Sequence, residues 1–299
     1  MRFRRAAVAG AAAALLAGSL LGECRAPVLR LEAAARARQG AIVPVLLRSD
    51  RPLSAAMFSD GSREIAMERA ADGKTFRTLL GIDFESKPGA RRLTVTARDE
   101  CGEDRSVARE VTVVAAKFPE QKLKVDPAYV EPPESERERI AADREKVAAI
   151  WATADTERRW TAAFVLPVPG TTPGGYGARR IFNGKPRSRH DGVDMAASSG
   201  TAVTAPAPGR VALAEDLYFS GGTVILDHGG GLFTTYFHLS AIDVKPGDSV
   251  AAGQRVGAVG ATGRATGPHL HWGAKLHHAR VNPLDLLKLP AEPSASVTN

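Results

Sequence analysis

The 299-residue chain carries a formal net charge of +7, and 44% of its residues are hydrophobic but only 6% aromatic. That length accommodates two domains with cores of their own. Lys and Arg are dispersed and aromatics few, so neither a basic nucleic-acid stripe nor a base-stacking platform is expected, and beyond the amino terminus no apolar run is long enough for a membrane span.

In chain order, Met1–Ala26 reads as an export signal. Arg2, Arg4 and Arg5 form a basic start, and the apolar run Ala6–Leu21 falls short of the about twenty residues that a membrane span needs. Cleavage is expected near Gly22 or Ala26. Gly22-Glu23-Cys24 matches a lipoprotein acceptor only loosely, because Glu23 stands where a small residue belongs. Export permits a disulfide between Cys24 and Cys101 if Cys24 survives processing; otherwise Cys101 is a lone thiol.

Residues 27–115 alternate short apolar segments such as IVPVLLRS, TFRTLLGID and RRLTVTARD with turns at Asp72-Gly73 and Lys87-Pro88-Gly89. This pattern predicts an antiparallel β-sandwich, immunoglobulin-like in type. The segment holds no histidine and reads as scaffold; the alternative is that it positions substrate or covers the active-site groove. Residues 116–157 are a connector: a Pro-rich stretch from Asp126 to Pro133, then a predicted helix over Glu134–Thr156. Val147, Ile150 and Trp151 share one stripe of that helix, so it should dock by one side. Residues 158–289 read as a second, β-rich domain, and 290–299 as a small, polar tail expected to be disordered. The whole chain is therefore predicted to be mainly β.

All seven histidines lie in the second domain. His190 and Asp194 form an H-x-x-x-D inside a Gly-rich, turn-prone segment. His269-Leu270-His271 follows the turn Gly267-Pro268 and opens a predicted strand, where alternation puts His269 and His271 on one face. With one histidine of that pair, His190 and Asp194 supply nitrogen, oxygen and nitrogen: three protein ligands and an open position, as in catalytic zinc sites. Alternation along Thr234–Ser240 puts Thr234, Tyr236 and His238 together, so His238 is expected to face the same cleft, with Tyr236 packing. His228 shares its face with Val224 and Leu226 and reads as structural; His277 and His278 read as surface residues. Arg179, Arg180, Lys185, Arg187 and Arg189 form a basic approach that suits either acidic material or solvent.

The pieces H-x-x-x-D at His190/Asp194, Y-x-H-L at Tyr236–Leu239 and G-P-H-L-H-W at Gly267–Trp272 together resemble the lysostaphin-type (LytM-like) zinc metallopeptidases of peptidoglycan. The framework GTAVTAPAPGRV, GGTVILDHGGGL and VKPGDSVAAGQRVGAVGATG is similar as well. The resemblance runs over roughly Ala162–Leu287 and implies a compact β-sheet core around a narrow groove. It implies His190, Asp194 and His271 as ligands of Zn2+, and His238 and His269 as the non-ligand histidines that handle protons and the oxyanion. No H-E-x-x-H occurs, so no glutamate is an obvious base. The implied activity is zinc-dependent cleavage of peptidoglycan peptides by an exported protein of the periplasm or cell envelope; the alternative is a non-catalytic LytM-like regulator or binding module, which would usually lack a ligand. The implied partners are peptidoglycan peptides, with no nucleic acid and no stable membrane span in the mature chain. Neither the bond cut nor the oligomeric state follows from the sequence.

Overall fold

The structure is a computed structural model that describes residues 25–153 and 157–289. The expectations for the export signal, for Cys24 and for the 290–299 tail lie outside the described residues. Cys101 is disulfide-bonded. Among the described residues no helix is long and apolar enough to cross a membrane.

The chain is mainly β, as predicted. The amino-terminal part forms two sheets. One runs Leu29–Glu32, Ile42–Ser49, Thr75–Gly81, Glu68–Arg69; the other runs Arg36–Arg38, Asp104–Val114, Gly89–Asp99, Leu53–Ser59, Glu64–Ala66. Their alternating apolar residues meet in one shared core, with Val45, Leu47, Phe58, Leu93 and Val95 fully buried. This is the two-layer solution for sheets that are apolar on one face only.

The connector is more ordered than its proline content suggests. Residues Glu120–Leu123 form a strand parallel to Arg179–Phe182, which pairs antiparallel with Lys185–Arg189. The helix spans Arg137–Ala152. Its Val147, Ile150 and Trp151 pack on Leu213, Leu217, Ile225 and Phe233, so it docks by one side. Trp151 meets Phe233 edge to face at 5.2 Å.

The carboxy-terminal part is built on a nine-stranded sheet whose main path places Gly192–Ala196, His269–Leu276, Leu232–Ile242 and Gly221–Asp227 side by side. One face is the core, where Val193, Met195, Val224, Leu226, Tyr236, Leu270 and Trp272 are fully buried. The residues between them, which point to the opposite face, carry the chemistry. The helix covers that same face: Phe233 and Lys275 pair across the sheet beneath Trp151, and Phe237 and His271 pair further along the same two strands. At about 3.4 Å per residue the helix contact lies roughly 14 Å from His271 along its strand.

The two parts are joined by a charged clamp. Arg280 donates to both Asp83 oxygens through Nε and Nη2 at 2.9 Å and to Glu85 at 2.7 Å, and its guanidinium lies 4.1 Å from the Phe84 ring centre.

Candidate metal centre

Strand pairing assembles the centre. Asp194 sits directly opposite His271, and Ala196 opposite His269. Paired residues of an antiparallel ladder share a face, so Asp194, His269 and His271 are held together by the sheet itself. On the other flank of the 269–276 strand, Phe237 is opposite His271, and the two rings stack in parallel, 4° apart in plane with centres 4.9 Å apart. His190 enters from the end of the neighbouring loop. Its backbone N–H donates to Ala178 and its carbonyl accepts from Gly177.

The ligand atoms converge closely. His190 Nε2 lies 2.8 Å from His271 Nδ1 and 3.0 Å from Asp194 Oδ1, and His271 Nδ1 lies 3.2 Å from the same oxygen. The second nitrogen of His190, Nδ1, lies 2.9 Å from the Gly175 carbonyl oxygen. A carbonyl accepts only, so Nδ1 carries the proton and Nε2 is bare. His271 Nε2 is buried without a hydrogen-bond partner and faces Asp191 Oδ1 at 3.6 Å, which favours the proton on Nε2 and a bare Nδ1. Two nitrogen lone pairs and a carboxylate oxygen therefore point at one spot, an arrangement that repels itself unless a cation sits there. About 2.05 Å from a tetrahedral Zn2+, ligand atoms would stand roughly 3.3 Å apart; the observed separations are only slightly shorter. These three residues also form a metal-compatible group of histidine and acidic side chains.

The electrostatics agree. Burial works against ionisation of Asp194, but positive charge at His190 and His271, in the place a cation would take once their facing nitrogens are bare, outweighs burial and holds the carboxyl well below the usual carboxylate range. Burial pulls the His190 imidazole down, so both are in their metal-binding forms at neutral pH. Arg180 Nη2 grips the second carboxylate oxygen, Oδ2, at 2.5 Å, leaving Oδ1 for the centre. Nothing in sequence spacing marks Arg180 for this task; it is brought here by its strand, which runs beside the connector. Three more of the expected basic approach are engaged as well, Arg187 with the Val130 carbonyl, Lys185 with Glu131, and Arg189 with the Gly177 carbonyl and the Phe118 ring, whereas Arg179 is exposed.

The two further histidines arrive as expected, one of them for a different reason. His269 Nδ1 lies 2.8 Å from the Gly267 carbonyl oxygen, and its Nε2 lies 3.7 Å from Asp194 Oδ1. His238 Nδ1 lies 2.8 Å from the Thr262 carbonyl oxygen, and the His238 ring centre is 4.8 Å from that of His269. Each ring thus keeps a bare Nε2. Burial, with the charges of His271 and His269, pushes His238 down to about 3. Simple alternation does not place His238 here, because Tyr236 pairs with Trp272 on the core face, and His238 would follow it. Instead the 232–242 strand carries an extra residue against Gly222–Val224, and His238 takes a left-handed conformation with φ 65°. The bulge delivers Phe237 and His238 in succession to the site.

The other histidines divide. His228 is structural, as read: fully buried, with Nδ1 at the Pro208 carbonyl and Nε2 at Thr234 Oγ1, which in turn bonds Tyr236 Oη. His277 is not a surface residue. It sits half-buried in a left-handed hairpin turn beside Gly231, its Nε2 has no hydrogen-bond partner, and burial pushes it down to about 4. Only His278 is exposed.

A groove of about 330 Å³ opens onto the centre, walled by Asp194 and His269 on one side and by Gln121, Leu123 and Val125 of the connector on the other. No sequence signal ties those three residues to the site.

Residues 188–283 match the model of peptidase family M23. The chain is 45% identical over 83 residues to the peptidoglycan DD-endopeptidase ShyA of Vibrio cholerae, covering 28% of this chain and 19% of that protein. It is 41% identical over 97 residues to the DD-carboxypeptidase/endopeptidase Mpg of Neisseria meningitidis, covering 32% of this chain and 22% of that one. The chain thus spans about a fifth of the length of these curated relatives. A crystal structure from Pseudomonas aeruginosa assigned to peptidase M23 superposes with a TM-score of 0.63 at 27% identity, over 83% of this chain and 94% of the other.

Proposed function

Because this chain carries a peptidase family M23 domain of the LytM/lysostaphin type, we propose that it is a zinc-dependent metalloendopeptidase that hydrolyses peptide cross-links or stem-peptide bonds of bacterial peptidoglycan. The observation that carries this reading is the convergence of three lone pairs, from His190, Asp194 and His271, beside two more imidazoles that each keep a bare Nε2. A bound Zn2+ in a three-ligand site supplies Lewis acidity and lowers the pKa of water to about 7.

The chain's own residues do the rest. Asp194, pinned by Arg180 through Oδ2, offers Oδ1 as the anionic ligand. His190 is oriented from behind by the Gly175 carbonyl, the outer-shell support that fixes tautomer and aim, while His271 Nε2 has only the charge of Asp191 nearby, at 3.6 Å. His238 and His269 each hold a proton on Nδ1 against a backbone carbonyl, so each accepts a proton at Nε2 and, once charged, donates it. One such ring serves the attacking water and the leaving amine; the other, when protonated, stabilises the oxyanion. Phe237 shields one face of His271 from water. The 27–115 sandwich serves as scaffold in this reading, immunoglobulin-like as its sequence suggests. The protein works outside the cytoplasm, in the periplasm or cell envelope, in keeping with relatives named for peptidoglycan cleavage.

The test is metal content measured together with release of peptides from purified peptidoglycan. The parent should hold zinc and cut; His271→Ala should lose both. His238→Ala and His269→Ala should keep zinc and lose roughly a hundred- to ten-thousand-fold in rate. A His271→Ala protein that clears peptidoglycan as fast as the parent overturns the reading.

A further inference from the structure

Arg264 lies in the turn between the 255–259 and 269–276 strands, and its side chain lines the same groove as Asp194 and His269. Its guanidinium is held by two aromatic rings, 4.7 Å from the centre of Phe182 and 5.0 Å from that of Phe219. Its backbone N–H bonds the Phe219 carbonyl. The side chain itself has no hydrogen-bond acceptor and no ion pair among the described residues. Arg180, Lys185, Arg187 and Arg189 around it are all committed to partners within the chain.

Ring contacts use the charge of this half-buried guanidinium but offer its N–H donors no acceptor, so those donors are left free to the groove. Burial and the nearby charges of Arg180 and Arg187 pull its pKa down to about 10, with Asp191 pulling the other way, so it stays charged at neutral pH while wanting an anion. The planar fork suits a carboxylate in two-point contact better than a lone carbonyl, and contact with the two rings restrains the side chain before any ligand arrives, which lowers the entropy cost of binding.

We propose that Arg264 is a specificity-determining residue that takes a carboxylate of the substrate peptide in the groove beside the metal centre. The proposal rests on the endopeptidase reading for the identity of the peptide, but not for the binding itself. Stem peptides carry free carboxylates, so an acidic peptide would be drawn into the groove and set in register, while the same peptide with its acids capped as amides would not.

The test compares the full chain with Arg264→Met, which keeps bulk between the rings, and Arg264→Lys, which keeps charge but not the fork. The probe is the tetrapeptide L-Ala–D-Glu–diaminopimelate–D-Ala with carboxylates free or amidated. Its Kd is measured by calorimetry on zinc-stripped protein, so that carboxylate coordination to the metal does not contribute, and cleavage of cross-linked peptidoglycan is followed separately on zinc-loaded protein. The parent should prefer the free acid by about ten- to hundred-fold, the value of one charge-assisted contact. That ratio should collapse towards one in Arg264→Met and fall partway in Arg264→Lys. A parent that binds both peptides alike, or a ratio that survives both substitutions, overturns the proposal. Preference that depends on Arg264 in a protein that cleaves nothing leaves the proposal standing and removes the endopeptidase reading; cleavage without preference does the reverse.

Discussion

Gly192 stands beside the metal centre with no room for a side chain. A Cβ built there would lie 2.5 Å from the Trp272 carbonyl oxygen and 2.6 Å from His271 Nε2, whereas ordinary contact begins at about 3.4 Å. In Gly192→Ala the His271 ring must therefore withdraw by about 0.8 Å, or the 192–196 strand must part from its neighbour by a similar amount. Either movement pulls Nδ1 away from a bond of about 2.0 Å to a metal. Loss of outer-shell orientation typically costs ten- to hundred-fold in metal affinity, and overpacking costs about 1–3 kcal/mol of stability. The assay is zinc affinity by competition with a chromophoric chelator, paired with thermal unfolding of zinc-free protein to separate the two effects. Gly174→Ala is the control: it lies in the adjoining loop, has nothing within 4 Å of its built Cβ, and should bind zinc as the parent does. If Gly192→Ala matches the parent in zinc affinity, the inference that the close strand contact aims His271 is wrong.

Removing the stack of Phe237 on His271 in Phe237→Ala should weaken zinc binding by about two- to ten-fold, from the 0.5–1.5 kcal/mol of an aromatic pair, with little change in melting temperature; unchanged affinity would count against the stack as a support. Trp151→Ala should destabilise the full chain by about 2–4 kcal/mol, since it empties the helix contact with Phe233, yet leave zinc affinity intact because that contact is remote from His271. Loss of zinc at unchanged fold would refute that separation. Stability should also fall on acidification through His228, which burial pushes down to about 4 from an ordinary 6.5. Between those values the unfolded chain binds a proton that the folded chain refuses, so stability is full above about pH 6.5 and is lost as pH drops towards 4. From pH 7 to pH 5 the loss from this one group is about 2 kcal/mol. In denaturant titrations of His228→Gln that part of the slope should vanish; an unchanged slope would show that His228 is not held neutral.

Much of the centre was legible because its chemistry is local. An H-x-H on a strand must present both rings to one face, whatever the fold, and H-x-x-x-D with it supplies the nitrogen and oxygen donors of a three-ligand site. The one-sided docking of the 137–152 helix was legible for the same reason: Val147, Ile150 and Trp151 share a stripe by helical periodicity alone. His228 followed from its company, since its face is otherwise apolar.

What the tertiary structure decided are matters of register, bulge and long-range approach. No local pattern says that Asp194 pairs with His271 rather than its neighbour, yet a slip of one residue would send the carboxylate to the core face. Alternation sends His238 inward with Tyr236, and only an extra residue in that strand, with a left-handed backbone, turns it to the centre. Arg180 reaches Asp194, and Gln121 walls the groove, because the connector adds a parallel strand that its proline-rich text does not announce. His277 reads as a surface residue until a hairpin turn folds it against Gly231. Residue type and spacing thus specify which groups are available for chemistry, since side-chain periodicity is a property of one element; which of them meet depends on pairing between elements distant in the chain, and that is settled only when the sheet has closed.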